Sequence, residues 1–174
     1  MKRTPLKRKT PLKAKRSTPR RKPPVTCAIL RCSKRPTVTI TSDERYCNSH
    51  ATKIADKLVG DFVKARDGYR CQLTSFNHKP CYQPEAVYWC HVIPKGRYYG
   101  TRWEPDNAVT GCAGHHKAFD TAPLEKDDWA EAWLGTARFE ELQQIAKIVK
   151  GVDVAEVIRR YRLTSVLDHP PDRE

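Results

Sequence analysis

The sequence predicts an α+β fold in which short strands are held by metal rather than by a large apolar core, with helices behind them. Three observations predict it. Six of the seven cysteines and two of the six histidines group into two separate sets of three Cys and one His. Two short apolar runs, "AVYWCHVI" and "NAVTGC", bracket the basic, glycine-containing segment "PKGRYYGTRWEPD" and read as two strands joined by a loop. Beyond Pro123 apolar residues recur at helical spacing.

The order of elements begins with charge. The 174 residues carry a formal net charge of +13, and the excess sits at one end. Residues 1–22 hold 11 Lys/Arg and no acid, leaving 22 bases against 20 acids elsewhere. Within them "KRTPLK" is echoed by "RKTPLK", and prolines with self-repelling charge leave nothing to bury. Residues 1–24 are expected to form a disordered arm that seeks phosphate, because neutralising a polyanion releases its counterions. No apolar run of about 18 residues is present, so no membrane span is expected. The basic start lacks the apolar stretch of a secretory signal, so a cytoplasmic protein is expected.

In a reducing compartment seven cysteines point to metal rather than to disulfides. Cys27, Cys32, Cys47 and His50 form C-x4-C-x14-C-x2-H, with the β-branched "TVTITSDERY" between the pairs suiting a short hairpin. Four soft ligands in two close pairs match tetrahedral zinc, and residues 25–50 read as a zinc knuckle module. A linking helix is expected over 51–68. Its apolar pairs Ile54/Ala55, Leu58/Val59 and Phe62/Val63 repeat every four residues and stop at Asp67-Gly68. A second zinc set opens with Cys71 and closes with Cys112 and His115 as C-x2-H. Its remaining ligand is assigned to Cys81, with Cys90 the open alternative and His78 a weaker competitor. Residues 69–122 thus form one core, 123–167 a group of C-terminal helices and 168–174 a tail. Thr136 and Asp153 are expected helix caps, and Trp129 and Trp133, four apart, are expected to pack in the interior.

Residues 90–120, "CHVIPKGRYYGTRWEPDNAVTGCAGHHKAFD", read as strand, basic loop, strand, helix. His91 ends the first strand, Asn107 enters the second and His116 opens the helix. Consecutive helix positions diverge by about 100°, so His115 and His116 cannot easily serve one site. His115 closes the zinc set with Cys112, and His116 turns elsewhere with Asp120 at i+4. An imidazole beside a carboxylate suits Mg²⁺ or Mn²⁺. Phosphodiester hydrolysis needs a base that accepts a proton from water near neutral pH, a role suited to His91. It also needs a cation against the developing charge. Lys95, Arg97, Arg102 and Lys117 are placed to meet phosphates.

This pattern resembles the HNH, or ββα-metal, nuclease motif. The resemblance implies that His91 is the general base, that Asn107 orders the hairpin and can touch the metal, and that His116 holds the catalytic divalent ion. The knuckle module, the linking helix, "TRWEPDN", the Cys112–His115 pair and the trailing helices together resemble the phage recombination nuclease family NinG (Rap) over roughly residues 27–150. Where the family has a tight C-x2-C, this chain has Cys71 with Thr74. Where many HNH enzymes place a metal-binding Asp or His before the base, it has Cys90. The resemblance implies an endonuclease acting on DNA, including branched recombination intermediates such as Holliday junctions and D-loops. It also implies a phage-encoded protein working in the bacterial host cytosol, and a homodimer is compatible with it. The competing reading is a two-zinc nucleic-acid-binding module without catalysis.

Overall fold

The computed structural model describes residues 26–78, 80–81 and 87–168. The expected basic arm, the tail beyond residue 168 and the side chain of His78 lie outside the described residues. The described chain is mixed α+β, with two small two-stranded sheets and five α-helices. Val38–Thr39 (β1) pairs antiparallel with Arg45–Tyr46 (β2), and Asn48–Arg66 (α1) follows. Val87–His91 (β3) pairs antiparallel with Ala108–Cys112 (β4), in a register that sets His91 opposite Ala108 and Val87 opposite Cys112. Ala113–Thr121 (α2) starts where β4 ends, and Pro123–Leu134 (α3), Thr136–Ile148 (α4) and Val154–Asp168 (α5) complete the order. No helix among the described residues is long and apolar enough to cross a membrane.

Two apolar cores sit on either side of the β3–β4 hairpin. The first joins the β1–β2 region to α1 and α5. Ala51, Ala55, Val59 and Val63 are buried at every fourth position of α1, facing Val154, Ile158 and Tyr161 of α5. Phe62 meets Tyr161 edge-to-face at 5.2 Å, and Arg162 of α5 pairs with Glu44 at 2.5 Å. The second core lies under α2, where Phe76, Phe119, Phe139 and Leu142 pack with Val92 and Val109. Residues 123–167 are therefore divided between two cores, α3 and α4 joining one and α5 the other. Trp129 is half-buried, stacks on Trp133 and donates to Ser75 Oγ at 3.1 Å, while Trp133 stays partly exposed beneath the Arg66 guanidinium.

Helix ends follow from local chemistry. Gly68 takes φ +62° just beyond α1, a left-handed conformation that favours glycine. Beside it the Asp67 carboxylate accepts from both the backbone N–H (2.8 Å) and the hydroxyl (3.0 Å) of Thr110 in β4. Arg66 donates to the carbonyls of Pro105 (2.9 Å) and Ala108 (2.8 Å), so the end of α1 is pinned to the hairpin. Asp153 caps α5 as expected, its Oδ1 accepting from the backbone N–H groups of Ala155 and Glu156. Thr136 does not cap α4. It is the first helical residue, and Gly135 at φ +81° occupies the cap position, because the sharp turn from α3 needs a positive φ there.

Candidate metal centres and the cleft beside them

Both expected ligand sets converge. Cys27, Cys32, Cys47 and His50 bring their ligand atoms within 4.8 Å of one another, and so do Cys71, Cys81, Cys112 and His115. Tetrahedral zinc with ordinary bond lengths requires S···N edges of about 3.6 Å and S···S edges of about 3.8 Å. In the first cluster His50 Nδ1 lies 3.3 Å from the sulfurs of both Cys27 and Cys47, and Cys32 and Cys47 are 4.0 Å apart. In the second, His115 Nδ1 lies 3.3 Å from both Cys71 and Cys112. These separations fit a shared ion in each cluster. Zinc would act there as a structural cross-link. At Cys47 the surroundings favour thiolate, the Ser49 hydroxyl and then the His50 backbone N–H holding it down to about 6. Cys32, despite a backbone hydrogen bond from Lys34, and Cys81 are instead pushed up by burial and the neighbouring sulfurs. The Cys47 backbone N–H also donates to Cys27 Sγ at 3.3 Å.

The choice between Cys81 and Cys90 follows from strand direction. Cys90 lies in the middle of the hairpin pairing opposite Val109, is fully buried, and its thiol donates weakly to the Tyr88 carbonyl at 3.6 Å. Burial pushes that thiol up. A β-carbon added at Gly111 would meet Cys90 Sγ at 2.8 Å, so Cys90 fills the space a bare glycine leaves in the neighbouring strand.

The ββα arrangement brings His91, His116 and Asp120 to one cleft of about 660 Å³. Tyr88 and Trp89, on opposite faces of β3, both line it, so it runs along the strand edge that β4 leaves free. His91 is 8% exposed, with the Trp89 ring edge-on at 4.3 Å. Its Nε2 lies 3.3 Å from the Arg102 carbonyl oxygen. A carbonyl only accepts, so Nε2 carries the proton and Nδ1 keeps a lone pair in the neutral ring. Burial, and next the Lys95 ammonium, drive this imidazole down to about 4. His116 Nε2 lies 3.3 Å from Asp120 Oδ2 one turn on, both partly exposed, and the His116 ring stacks on Tyr88.

Asn107 is fully buried, and its side chain holds the hairpin loop. Oδ1 accepts from Ile93 N–H at 2.7 Å, and Nδ2 donates to the carbonyls of Ile93 and Thr101 at 3.0 Å each. It does not line the cleft. Arg102, expected at phosphate, is held instead by Asp56 of α1. Nε and Nη2 reach the two carboxylate oxygens at 2.9 and 2.6 Å, and Trp103 Nε1 donates to the same Asp56 at 2.9 Å. Burial opposes ionisation of that carboxyl, but the Arg102 fork outweighs it and lowers its pKa. Trp103 is buried packing beside this pair. Arg97 sits over Tyr98 beside a second cleft of about 380 Å³, and Lys117 is exposed on α2.

Of the four expected phosphate contacts only Lys95 lines the cleft, with its ammonium 5.0 Å from the Trp89 ring centre. Sequence reasoning missed Lys64 of α1 and Lys126 of α3, which also line it. Both look like the polar face of an amphipathic helix, and only the packing of α1 against β3 and of α3 against α2 brings them to the cleft. The lining therefore has three lysines and one acid, Asp120, so its field favours an anion. Compared with known proteins, the chain matches no family model, no curated protein and no solved structure.

Proposed function

We propose that this chain is a metal-dependent endonuclease of the HNH type that hydrolyses DNA phosphodiester bonds, including those of branched recombination intermediates. The observation that carries the reading is the single cationic cleft shared by His91, His116 and Asp120. His91 Nδ1 accepts the proton of the attacking water, and the Arg102 carbonyl holds the tautomer that leaves Nδ1 free. His116 and Asp120 hold a divalent ion, Mg²⁺ or Mn²⁺. Their 3.3 Å separation suits adjacent octahedral positions, which lie about 3 Å apart at Mg²⁺ bond lengths. Bound there, the ion supplies charge stabilisation at the scissile phosphate. Asn107 keeps the loop in place, so the reading gives it an ordering role and assigns no ion contact to it. Lys95 meets phosphate at the cleft, and Arg97, Lys117 and the basic arm extend the contact surface beyond it.

The test is plasmid nicking with Mg²⁺ or Mn²⁺ at several concentrations, alongside zinc content and a melting curve for each variant. The wild type nicks. His91→Ala slows it by about 10²–10⁴, the usual contribution of a general base, and added metal does not restore it. His116→Ala is slowed and partly restored by raised Mg²⁺ or Mn²⁺, because its defect is one of metal affinity. His115→Ala loses zinc and stability instead. Folded His91→Ala and His116→Ala proteins that nick at the wild-type rate would overturn the reading. A wild type that binds DNA but nicks with neither metal would be a two-zinc binding module.

A further inference from the structure

The Lys126 side chain stands out among the charged groups of the second core. It is 6% exposed, one turn into α3, with its ammonium 5.3 Å from the centre of the buried Phe119 ring. Among the described residues no carboxylate lies within ion-pair distance of it. A lysine this buried without a close ion pair is uncommon, because removing an ammonium from water is costly without a compensating anion. The Asp127 carboxylate that feels its charge is exposed at the second cleft. Among the described residues every side-chain nitrogen or oxygen sealed from solvent has a hydrogen-bond partner, and the Lys126 ammonium has none among them, so it opens to solvent somewhere. Lys126 lines the wall between the His91–His116 cleft and the 380 Å³ cleft of Val92, Tyr98 and Phe139, which places that opening. The Phe119 face attracts the cation but cannot neutralise it.

We propose that Lys126 is an anion seat that binds a non-bridging oxygen of a phosphodiester in the cleft, a role resting on the nuclease reading for its substrate. Its side chain is already buried, so little rotamer freedom remains to be lost on binding. The three ammonium donors face an anion in a partly desolvated cleft, where a charge-assisted hydrogen bond is strong. Lys64 and Lys95 reinforce the field, but neither is as deeply buried. Lys126 makes contact through charge alone, so it holds phosphate before any divalent ion is present.

The experiment measures fluorescence anisotropy of a labelled duplex oligonucleotide with the full-length protein. The buffer is freed of divalent ions by resin, since a soluble chelator would strip zinc. Lys126→Met keeps the stem and removes the charge, and Lys126→Arg restores the charge. The Met variant should bind about tenfold more weakly, the loss expected for one hydrogen bond to a charged group. Its slope of log K against log salt should be shallower by about one, for one phosphate fewer. Lys126→Arg should recover most of both. A merely structural lysine would lower the melting temperature and leave the salt slope alone. A folded Lys126→Met protein with wild-type affinity and slope would overturn the proposal, even if the wild type nicks plasmid. A wild type that nicks with neither metal, while Lys126→Met loses affinity and slope, would overturn the nuclease reading and keep the anion seat. Should Lys126→Met not fold, NMR of ε-labelled lysine in the wild type decides. Saturating oligonucleotide must shift the Lys126 signal, and an unmoved signal sinks the proposal.

Discussion

His91 carries the sharpest consequence of burial at a single residue. An imidazole driven down to about 4 by burial and by Lys95 stays neutral in the folded chain, whereas in the unfolded chain it titrates near 6.5. Between those values the unfolded state binds a proton that the folded state refuses. The His91 contribution is therefore constant above about pH 6.5 and turns against the fold as pH drops toward 4, by at most about 1.4 kcal/mol per pH unit. Urea unfolding of wild type and His91→Gln at pH 7 and pH 5 isolates this effect, since both proteins share every other acid-labile group. The wild type should lose more stability on acidification; equal losses would mean that His91 titrates normally. The same depression bears on chemistry. Neutral His91 is available as a base well below pH 6, so the acid limb of kcat/KM should not fall near pH 6.5. A phosphate entering the cleft opposes Lys95 and raises the imidazole again, which strengthens the base when substrate is bound.

Among the elements, the β3–β4 hairpin positions the site, and one side chain closes its loop. Asn107→Ala would leave the Ile93 N–H and the carbonyls of Ile93 and Thr101 without partners in a fully buried place. Each such orphan costs about 1–3 kcal/mol, so the variant should lose roughly 3 kcal/mol or more in denaturant unfolding. Asn107→Asp should be no better, because a carboxylate oxygen would then face two carbonyls. A loss below about 1 kcal/mol would show that the loop is held by other contacts. The elements themselves were legible in the sequence. Short apolar runs and turn residues marked β3, the loop and β4, and spacing of four marked α1 (Asn48–Arg66 against an expected 51–68). The Thr136 cap was not, since hydroxyl chemistry at a helix start looks the same whether or not a preceding glycine turns the chain. Ligand identity was nearly legible, and only the register of β3 separates Cys81 from Cys90. The employment of Arg102 was hidden, because its partner Asp56 lies 46 residues away on α1. Lys126 was hidden for the same reason, in a run of charges that looks solvated until α3 packs against α2.

At the scale of the whole molecule, two small cores are each stapled by one Cys3His cluster and bridged by the end of α1. Cys27 and Cys47 belong to the core that also holds α1 and α5, whereas Cys71 and Cys112 belong to the core with β3, β4, α2, α3 and α4. The linkage through Asp67–Thr110 and Arg66–Pro105 is polar, but Trp89, Trp103 and Ala108 also pack into the α1–α5 core, so damage should reach the hairpin face that meets α1 and spread less to α2, α3 and α4. Structural zinc contributes on the order of 10 kcal/mol of folding free energy per site, so losing one ion should unfold its own core. Cys47→Ser should therefore lower zinc content by one ion per chain. It should also expose α5, which is distant in sequence but packs on α1 through Ile158 and Tyr161. Hydrogen exchange read by mass spectrometry checks this. In Cys47→Ser, peptides from α1 and α5 should exchange fast together while α2, α3 and α4 keep most of their protection. In Cys112→Ser the β3–β4–α2 peptides should exchange fast, with α3 and α4, and zinc should again fall by one. The outcome that contradicts two cores is uniform exchange over the whole chain in both variants. An α5 that stays protected in Cys47→Ser would instead mean that its packing on α1 stands without the metal-bound knuckle beneath it.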